Sequence, residues 1–350
     1  MNTDLNTDQC RFLVTGAAGY TGSHLVEALL EKGHKVRALV RNTELNIEHE
    51  NLEYFGGDIQ NAPQMVQACN GITTVFHTAA MIATLGGCGV SKSYRASAYA
   101  VNVVGTANII AACQAQGVSR LIHTSSVDTC FAGEENLHMD EQTTPYATDY
   151  PCVYTQTKIK AEISVLAANG QGGLLSCALR PDGIWGPGGS LMLDSLVEQL
   201  RAGKMVARIG GDGAMHDHIH IDNLVHAHLL AAEALVPRNP VCGQAYFVSD
   251  GEPEQLFRFV RPLFEGLGYE VPKISIPAAP LRALLKIWEW LHFKMGIAAP
   301  FISPHELNKA TVSHVVYSDA AKRDFGYSPI KSVAAGMAES VSYYLHESKP

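Results

Sequence analysis

The sequence predicts an α/β protein: a doubly wound parallel sheet with a smaller, mostly helical C-terminal part. Two observations carry this. Short, apolar, β-branched runs alternate with amphipathic helical stretches from the start, and a glycine-rich loop sits where the first run passes into the first helix. Runs that short and apolar suit strands covered on both faces by helices. Strands are expected at Arg11–Thr15, Lys35–Val40, Leu52–Phe55, Thr74–His77, Arg120–His123 and Leu175–Leu179, with helices such as Ser23–Lys32 and Thr106–Gln116 between them. After Trp185 the rhythm breaks at Gly186–Gly189. A helix is expected over Met192–Ala202, and a strand at Gln244–Ser249 returns to the sheet. From Gly251 onward the pattern is helical and Pro-rich. The expected division is 10–182 with 208–250 in the sheet domain, and 183–207 with 251–350 in the smaller one.

Composition narrows the class. At 350 residues, 47% hydrophobic and 17% charged, the chain exceeds one ordinary compact domain and is no disordered polymer. A net charge of −8 with no basic run argues against nucleic acid. No uninterrupted apolar stretch reaches the ~20 residues of a membrane span. The N-terminus carries acids where a signal peptide carries Lys or Arg, so a cytoplasmic protein is expected. Eight cysteines without a CxxC pair read as free thiols and not as a zinc or disulfide framework.

The strongest local signal is Val14-Thr15-Gly16-Ala17-Ala18-Gly19-Tyr20-Thr21-Gly22. Glycines spaced by three between a strand and a helix permit a tight turn and close approach of backbone to a pyrophosphate, which the helix N-terminus then holds. Dinucleotide contacts are therefore expected from Gly16, Ala18, Gly19, Tyr20, Thr21 and Gly22. The second strand ends in Val40-Arg41-Asn42, with no acid before Glu44. An acid there holds the ribose of NAD, whereas Arg41 suits a 2′-phosphate, so NADP is favoured over NAD. Asp58 and Ile59 after the third strand are expected near the adenine. Thr78, Ala79 and Ala80 after the fourth let backbone pass close to a ribose.

Three of the thirteen tyrosines have a lysine four residues later: Tyr154/Lys158, Tyr269/Lys273 and Tyr327/Lys331. Pro272 and Pro329 spoil a helix in the last two. Only Tyr154/Lys158 continues into helix formers, which places phenol and ammonium on one face. A nearby positive charge makes a tyrosine a usable acid/base near neutrality. Ser126, at the end of the fifth strand, is expected to hold the substrate oxygen beside Tyr154. Ser126 is preferred to Ser125 because alternating residues face opposite ways.

The combination TGxxGxxG, GDI, HTAA, NVVGT, HTSS, YxxTK and RPxGIWGPG, spread along the chain, resembles the extended short-chain dehydrogenase/reductases. The resemblance implies Ser126, Tyr154 and Lys158 as catalytic residues, Asn102 as the structural asparagine, and Asn102, Tyr154, Lys158, Pro181 and Ile184 among the cofactor contacts. It also implies a homodimer. Segments such as Cys177–Pro181, Gly243–Asp250 and Ser318–Tyr327 are similar to the 3β-hydroxysteroid dehydrogenase branch, including decarboxylating sterol-4α-carboxylate 3-dehydrogenases. The expected activity is NAD(P)-dependent oxidation of the 3β-hydroxyl of an apolar sterol or steroid. For a carboxylated sterol, Arg95 or Lys92 is the expected partner of the carboxylate. The alternatives are a nucleotide-sugar epimerase or dehydratase, a ketone or β-keto-acid reductase, and a non-catalytic NADP sensor. Against the first, Arg180-Pro181-Asp182-Gly183 lacks the asparagine typical two residues after that arginine.

Two segments need separate treatment. His216, His218 and His220 alternate as metal ligands on a strand would, but a strand leading into a helix capped by Asp222 is the plainer reading, and no metal is expected. Residues 280–295 place Ala283, Leu284, Leu285, Ile287, Trp288, Leu291 and Met295 in one apolar sector opposite Arg282, Lys286 and Glu289. That pattern suits a helix packed on the body, a lid over the substrate, or an interfacial contact with a membrane.

Overall fold

A computed structural model describes residues 11–41, 47–82, 92–210, 213–298, 300 and 302–347. Its centre is a seven-stranded parallel sheet. The strands in chain order are β1 (Arg11–Thr15), β2 (Lys35–Val40), β3 (Leu52–Gly56), β4 (Thr74–His77), β5 (Arg120–Thr124), β7 (Leu175–Pro181) and the strand Ala245–Val248. Their spatial order is Ala245–Val248, β7, β5, β4, β1, β2, β3. The order reverses between β1 and β4, where Val14 pairs with Ala38 on one side and Phe76 on the other. Such a reversal opens the crevice that binds ligands in doubly wound sheets.

Helices cover both faces. Phe12, Val14, Phe76 and Leu179 pack with Leu25 and Leu29 of α1 (Tyr20–Glu31) and Leu224 of α7 (Ile221–Ala234). On the other face Leu13, Val75 and Leu121 meet Met65 of α2 (Ala62–Ala68), Ile109 of α4 (Thr106–Gln116) and Val165 of α5 (Val153–Ala167). Strands buried on both sides therefore read as unbroken apolar runs. Between α2 and α4 lies α3 (Lys92–Tyr99), joined to α4 through a π-helical turn, Ala100–Gly105. The continuous stretch Ser93–Gln116 is long and apolar enough to cross a membrane by length and composition. That departs from the absence of any span expected above. Part of it is core: Asn102, Gly105, Thr106, Ile109, Ala112 and Cys113 are buried, while Tyr99 and Val104 are exposed.

The C-terminal half is less purely helical than its sequence pattern. Strand His314–Val316 pairs with β6 (Asn136–Met139) and with Met215–His216 in a small four-stranded sheet, so three distant segments meet there. A short pair joins β8 (Gly183–Trp185) to His218–His220. A separate apolar cluster gathers Trp185, Leu193 and Val197 of α6 (Leu191–Arg201), Phe259, Phe264 and Tyr344. The six cysteines among the described residues are free; Cys10 and Cys88 lie outside those residues.

The histidine run does not act as one strand. Asp217 separates two sheets. His216 packs on His314, His218 stacks on Phe259, and His220 meets the edge of Trp185. The cap of α7 is His220, not Asp222: its Nδ1 accepts the Asp222 N–H at 3.2 Å. Asp222 instead sits in the first turn, where a negative charge suits the helix dipole. His220, Asp222 and Glu339 gather their ligand atoms in one place. Lys331 already fills that spot, with its Nζ 3.0 Å from Asp222 and 2.7 Å from Glu339.

Candidate active site

The carboxyl ends of β1, β2, β4, β5 and β7 border one cleft of about 570 Å³. At one end is the glycine loop. Gly16 has φ +67°, and a Cβ there would lie 2.8 Å from the Ala79 Cα. A Cβ on Gly22 would lie 2.1 Å from the Gly16 carbonyl oxygen. The loop thus lies directly on α1, and only glycine fits. Gly19 caps α1 in extended conformation without any side-chain acceptor for the first-turn N–H groups. Those groups and the positive end of the helix suit an anion. Ala18, Tyr20 and Thr21 line the same end, so a dinucleotide pyrophosphate fits the residues present.

The walls follow in the expected order. Arg41 ends the β2 side, Asp58 and Ile59 follow β3, and Thr78, Ala79 and Ala80 follow β4. Glu44 lies outside the described residues. The Thr78 hydroxyl donates to the Thr15 carbonyl at 2.7 Å, which fixes the β4 turn against β1. Gly105 lets the π-helical turn approach Ile59, whose side chain would lie 2.6 Å from an added Cβ. Pro181 and Ile184 form the far wall with Leu191 and Met192 of α6.

At the centre, Ser126 and Tyr154 both line the cleft, and the serine hydroxyl is close enough to act on the phenol. Ser126 is extended, and its Oγ accepts the Asp128 N–H at 3.1 Å. Ser125 also borders the cleft, contrary to the expectation that only one serine faces it; its hydroxyl has no hydrogen-bond partner. Burial pushes the Tyr154 phenol above its ordinary value and the Asp128 charge adds to this, while the nearby Ser126 hydroxyl pulls it back.

Lys158 lies one helical turn below Tyr154 and is buried, outside the cleft's lining. Its Nζ donates to the Thr124 carbonyl at 2.6 Å and sits 3.3 Å from His123 Nε2. Burial lowers its pKa to about 8, against the raising effect of Glu162. Burial and the Asp128 charge outweigh any lowering by Lys158, so the phenol stands above its ordinary value rather than below it as expected above. Asn102 is likewise buried away from the lining. Its Oδ1 accepts the Met81 N–H at 2.7 Å, while its Nδ2 donates to the Met81 carbonyl and the Thr157 hydroxyl. It ties the β4 turn to the helix carrying Tyr154.

The other Tyr/Lys pairs lie elsewhere. Lys273 pairs with exposed Glu270, and Tyr327 is a core residue bonded to the Ser249 carbonyl. Arg95 is exposed, absent from the cleft's lining, and its charge acts on Glu289; the Lys92 side chain lies outside what is described. The sequence reading missed Asp128, Asp182 and Lys309, which also line the cleft. Asp182 follows β7 directly, a position that marks a crevice residue. Lys309 carries no local signal, because only tertiary folding brings it there.

The profile of the 3-beta hydroxysteroid dehydrogenase/isomerase family matches residues 13–278. A 3-beta-hydroxysteroid dehydrogenase of Mycolicibacterium neoaurum is 39% identical, over 97% of this chain and 93% of its own length. The 3beta-hydroxysteroid-dehydrogenase/decarboxylase isoform 1 of Arabidopsis thaliana is 34% identical, over 95% of this chain and 79% of its own. Among solved structures, MoeE5 in complex with UDP-glucose and NAD superposes with a TM-score of 0.74 at 23% identity, covering 97% of this chain and all of that one, and so shares the fold. The family profile over most of the chain and relatives 34–39% identical along nearly all of it place the chain in the 3-beta hydroxysteroid dehydrogenase/isomerase family.

Proposed function

We propose that the protein oxidises the 3β-hydroxyl of a sterol or steroid to the ketone with NADP⁺, accepting NAD⁺ less well. The observation that carries this is the Ser126–Tyr154 pair at the centre of a cleft whose one end is the glycine loop and whose far wall is apolar. Gly16, Gly19, Gly22 and the first turn of α1 would hold the dinucleotide, and the bound nicotinamide supplies the hydride acceptor. Ser126 holds the substrate oxygen, Tyr154 takes its proton, and the buried Lys158 contributes positive charge below the phenol. Arg41 supports NADP, because it stands where an NAD-selective site carries an acid. For a 4α-carboxysterol, the new ketone makes a β-keto acid that loses CO₂ without a further catalytic group. The 34% identity to the Arabidopsis decarboxylase supports that extension.

The helix Ala278–Met295 supports a peripheral membrane contact as part of the same reading. No described residue of it lines the cleft. Arg282, expected on the outer stripe, turns inward to Asn308 and Thr311, whereas Leu284, Ile287, Trp290 and Met295 are exposed beside Lys286 and Lys294. An apolar face flanked by lysines suits the interface of an anionic bilayer. Tyr99, Val104 and Ile163, exposed on adjoining helices, support a homodimer through that face. Sedimentation velocity would return a monomer mass if that pairing is wrong.

The test is the absorbance of reduced nicotinamide formed by purified protein with each dinucleotide and a 3β-hydroxysterol, its 4α-carboxy analogue or UDP-galactose. Reduction with a sterol, faster with NADP⁺ and lost in Tyr154→Phe, is expected. Conversion of the sugar nucleotide alone would overturn the steroid reading.

A further inference from the structure

Beside the Ser126–Tyr154 pair lies a buried group of charges drawn from four parts of the chain. Lys309 Nζ is 3.2 Å from Asp128 Oδ1 and 2.9 Å from Asp182 Oδ1. His305 Nε2 is 3.6 Å from Asp128 Oδ2, and His314 Nε2 is 3.2 Å from Asp182 Oδ2. Asp128 and Asp182 are 9% and 4% exposed. The two cations come from one short helix, Pro304–Thr311, fixed at its start by a capping box between Ser303 and Glu306. The Lys309 ammonium also lies over the Phe131 ring, 5.2 Å from its centre. Surface ion pairs come and go at little cost; a buried, multiply held set like this one keeps its geometry.

We propose that Lys309, assisted by His305, is a positioning residue that sets the proton affinity of Tyr154 by neutralising Asp128. This rests on Tyr154 being the proton acceptor. Asp128 connects the two directly: it is held by Lys309, its N–H is bonded to Ser126, and its carboxylate charge is the largest electrostatic influence on the Tyr154 phenol after burial. Among the described residues, the groups acting most on Tyr154 are Ser126 and Asp128 from the turn after β5, Cys152 before α5 and Tyr94 from α3, with Lys158 one turn below on α5. Those facing Lys309 are Asp128, Asp182 and His314, with His216 and His218 within electrostatic reach. Burial weakens the hold of Lys309 on its proton, but Asp128 and Asp182 more than reverse this. The Asp128 contacts hold His305 well above the ordinary imidazole range. With both cations charged, the two carboxylates are balanced. Removing Lys309 leaves an uncompensated negative charge near a phenol that must itself become negative, whereas removing the Asp128 charge does the reverse.

The two substitutions are therefore expected to act in opposite directions. Lys309→Met should move the pH profile of kcat for steroid oxidation upward by about one unit, and Asp128→Asn should move it downward by about the same amount. Lys309→Arg, which keeps the charge, should restore the wild-type profile with at most a change in KM. A purely structural role would lower activity in both variants without opposed shifts. The same comparison is available without substrate, by placing 3,5-difluorotyrosine at position 154 and following its ionisation by fluorine NMR in the full-length protein. Opposed shifts of the midpoint in the Lys309→Met and Asp128→Asn backgrounds support the proposal. Shifts in the same direction, or none, overturn it. A wild-type protein inactive toward steroids but showing the opposed shifts would sink the steroid reading and leave this assignment standing.

Discussion

Replacing Glu162 by alanine tests how the site is held. Glu162 lies on α5, one turn beyond Lys158, and is completely buried. Its carboxylate receives the Arg180 Nε at 3.1–3.2 Å and Nη2 at 2.6 Å, and accepts the Tyr146 hydroxyl at 2.7 Å. Arg180 is on β7, one residue before Pro181, and lies between the Tyr146 and Phe247 rings. The pair therefore joins the helix of Tyr154 to the strand that forms the far wall. Deleting one partner strands a buried charge, which costs about 3–5 kcal/mol. Unfolding entropy of roughly 2.1 cal/mol/K per residue gives about 0.7 kcal/mol/K for this length, so Tm should fall by about 4–7 °C. Circular dichroism melts would measure it. The double variant Glu162→Leu, Arg180→Met removes both charges and should recover most of the loss. A fall below about 1 °C in the single variant, or no recovery in the double, refutes the reasoning. Loss of Glu162 also removes the charge that holds up the Lys158 pKa, so kcat near neutral pH should fall as well.

Three further outcomes follow from the same geometry. Gly22→Ala forces a Cβ to within 2.1 Å of the Gly16 carbonyl; the displaced loop should bind reduced nicotinamide dinucleotide at least ~10-fold more weakly in a fluorescence titration, and affinity within twofold of wild type contradicts the packing. Arg41→Ala should raise KM for NADP⁺ by roughly tenfold, the worth of one charge-assisted hydrogen bond, while sparing NAD⁺; equal effects on both would remove Arg41 from the 2′-phosphate. Burial, then the Asp182 charge, raises the Asp217 carboxyl to about 7, so the folded chain binds its proton more tightly than the unfolded chain, whose value is about 4. Stability from this group is present below that lower value and is lost as pH rises toward about 7. Asp217→Asn should thus raise Tm more at pH 8 than at pH 5, and an equal rise at both would be inconsistent with that titration.

How much of this was legible beforehand depends on the range of the interactions. The strands of the main sheet were legible almost to the residue, because burial on both faces leaves an unbroken apolar run with its own boundaries: Arg11–Thr15, Lys35–Val40 and Thr74–His77 form as expected. Gly16, Gly19, Gly22 and Tyr154, singled out by local spacing, and Ser126, singled out by its strand-end position, all line the cleft. The cap of α7 was misread because a histidine and an aspartate two residues apart satisfy the same pattern, and only the positions of Trp185 and Asp250 put His220 at the end of a strand. The helix Ala278–Met295 was located correctly but its faces were not. Periodicity groups side chains into sectors, yet Arg282 has polar partners on the body and so carries the inward face around with it. Lys309 was illegible because it enters the cleft from a helix that has no catalytic motif.

That last residue bears on the choice between steroid and sugar nucleotide, which the fold leaves open, since a structure bound to UDP-glucose superposes over nearly the whole chain. A diphosphate substrate brings two negative charges that need cations or helix N-termini with free capacity. Among the described residues lining the cleft, the cations are Arg41 and Lys309. Arg41 stands at the dinucleotide end. Lys309 stands beside the Ser126–Tyr154 pair, but Asp128 and Asp182 already engage it, and prying it loose would expose two buried carboxylates. The surfaces that remain nearby, Ile184, Leu191 and Met192, are apolar. A neutral ring system loses nothing by meeting them, whereas a diphosphate would give up its hydration without replacement. The same balance bears on a carboxylated sterol: its acid group would meet a Lys309 already engaged by Asp128 and Asp182.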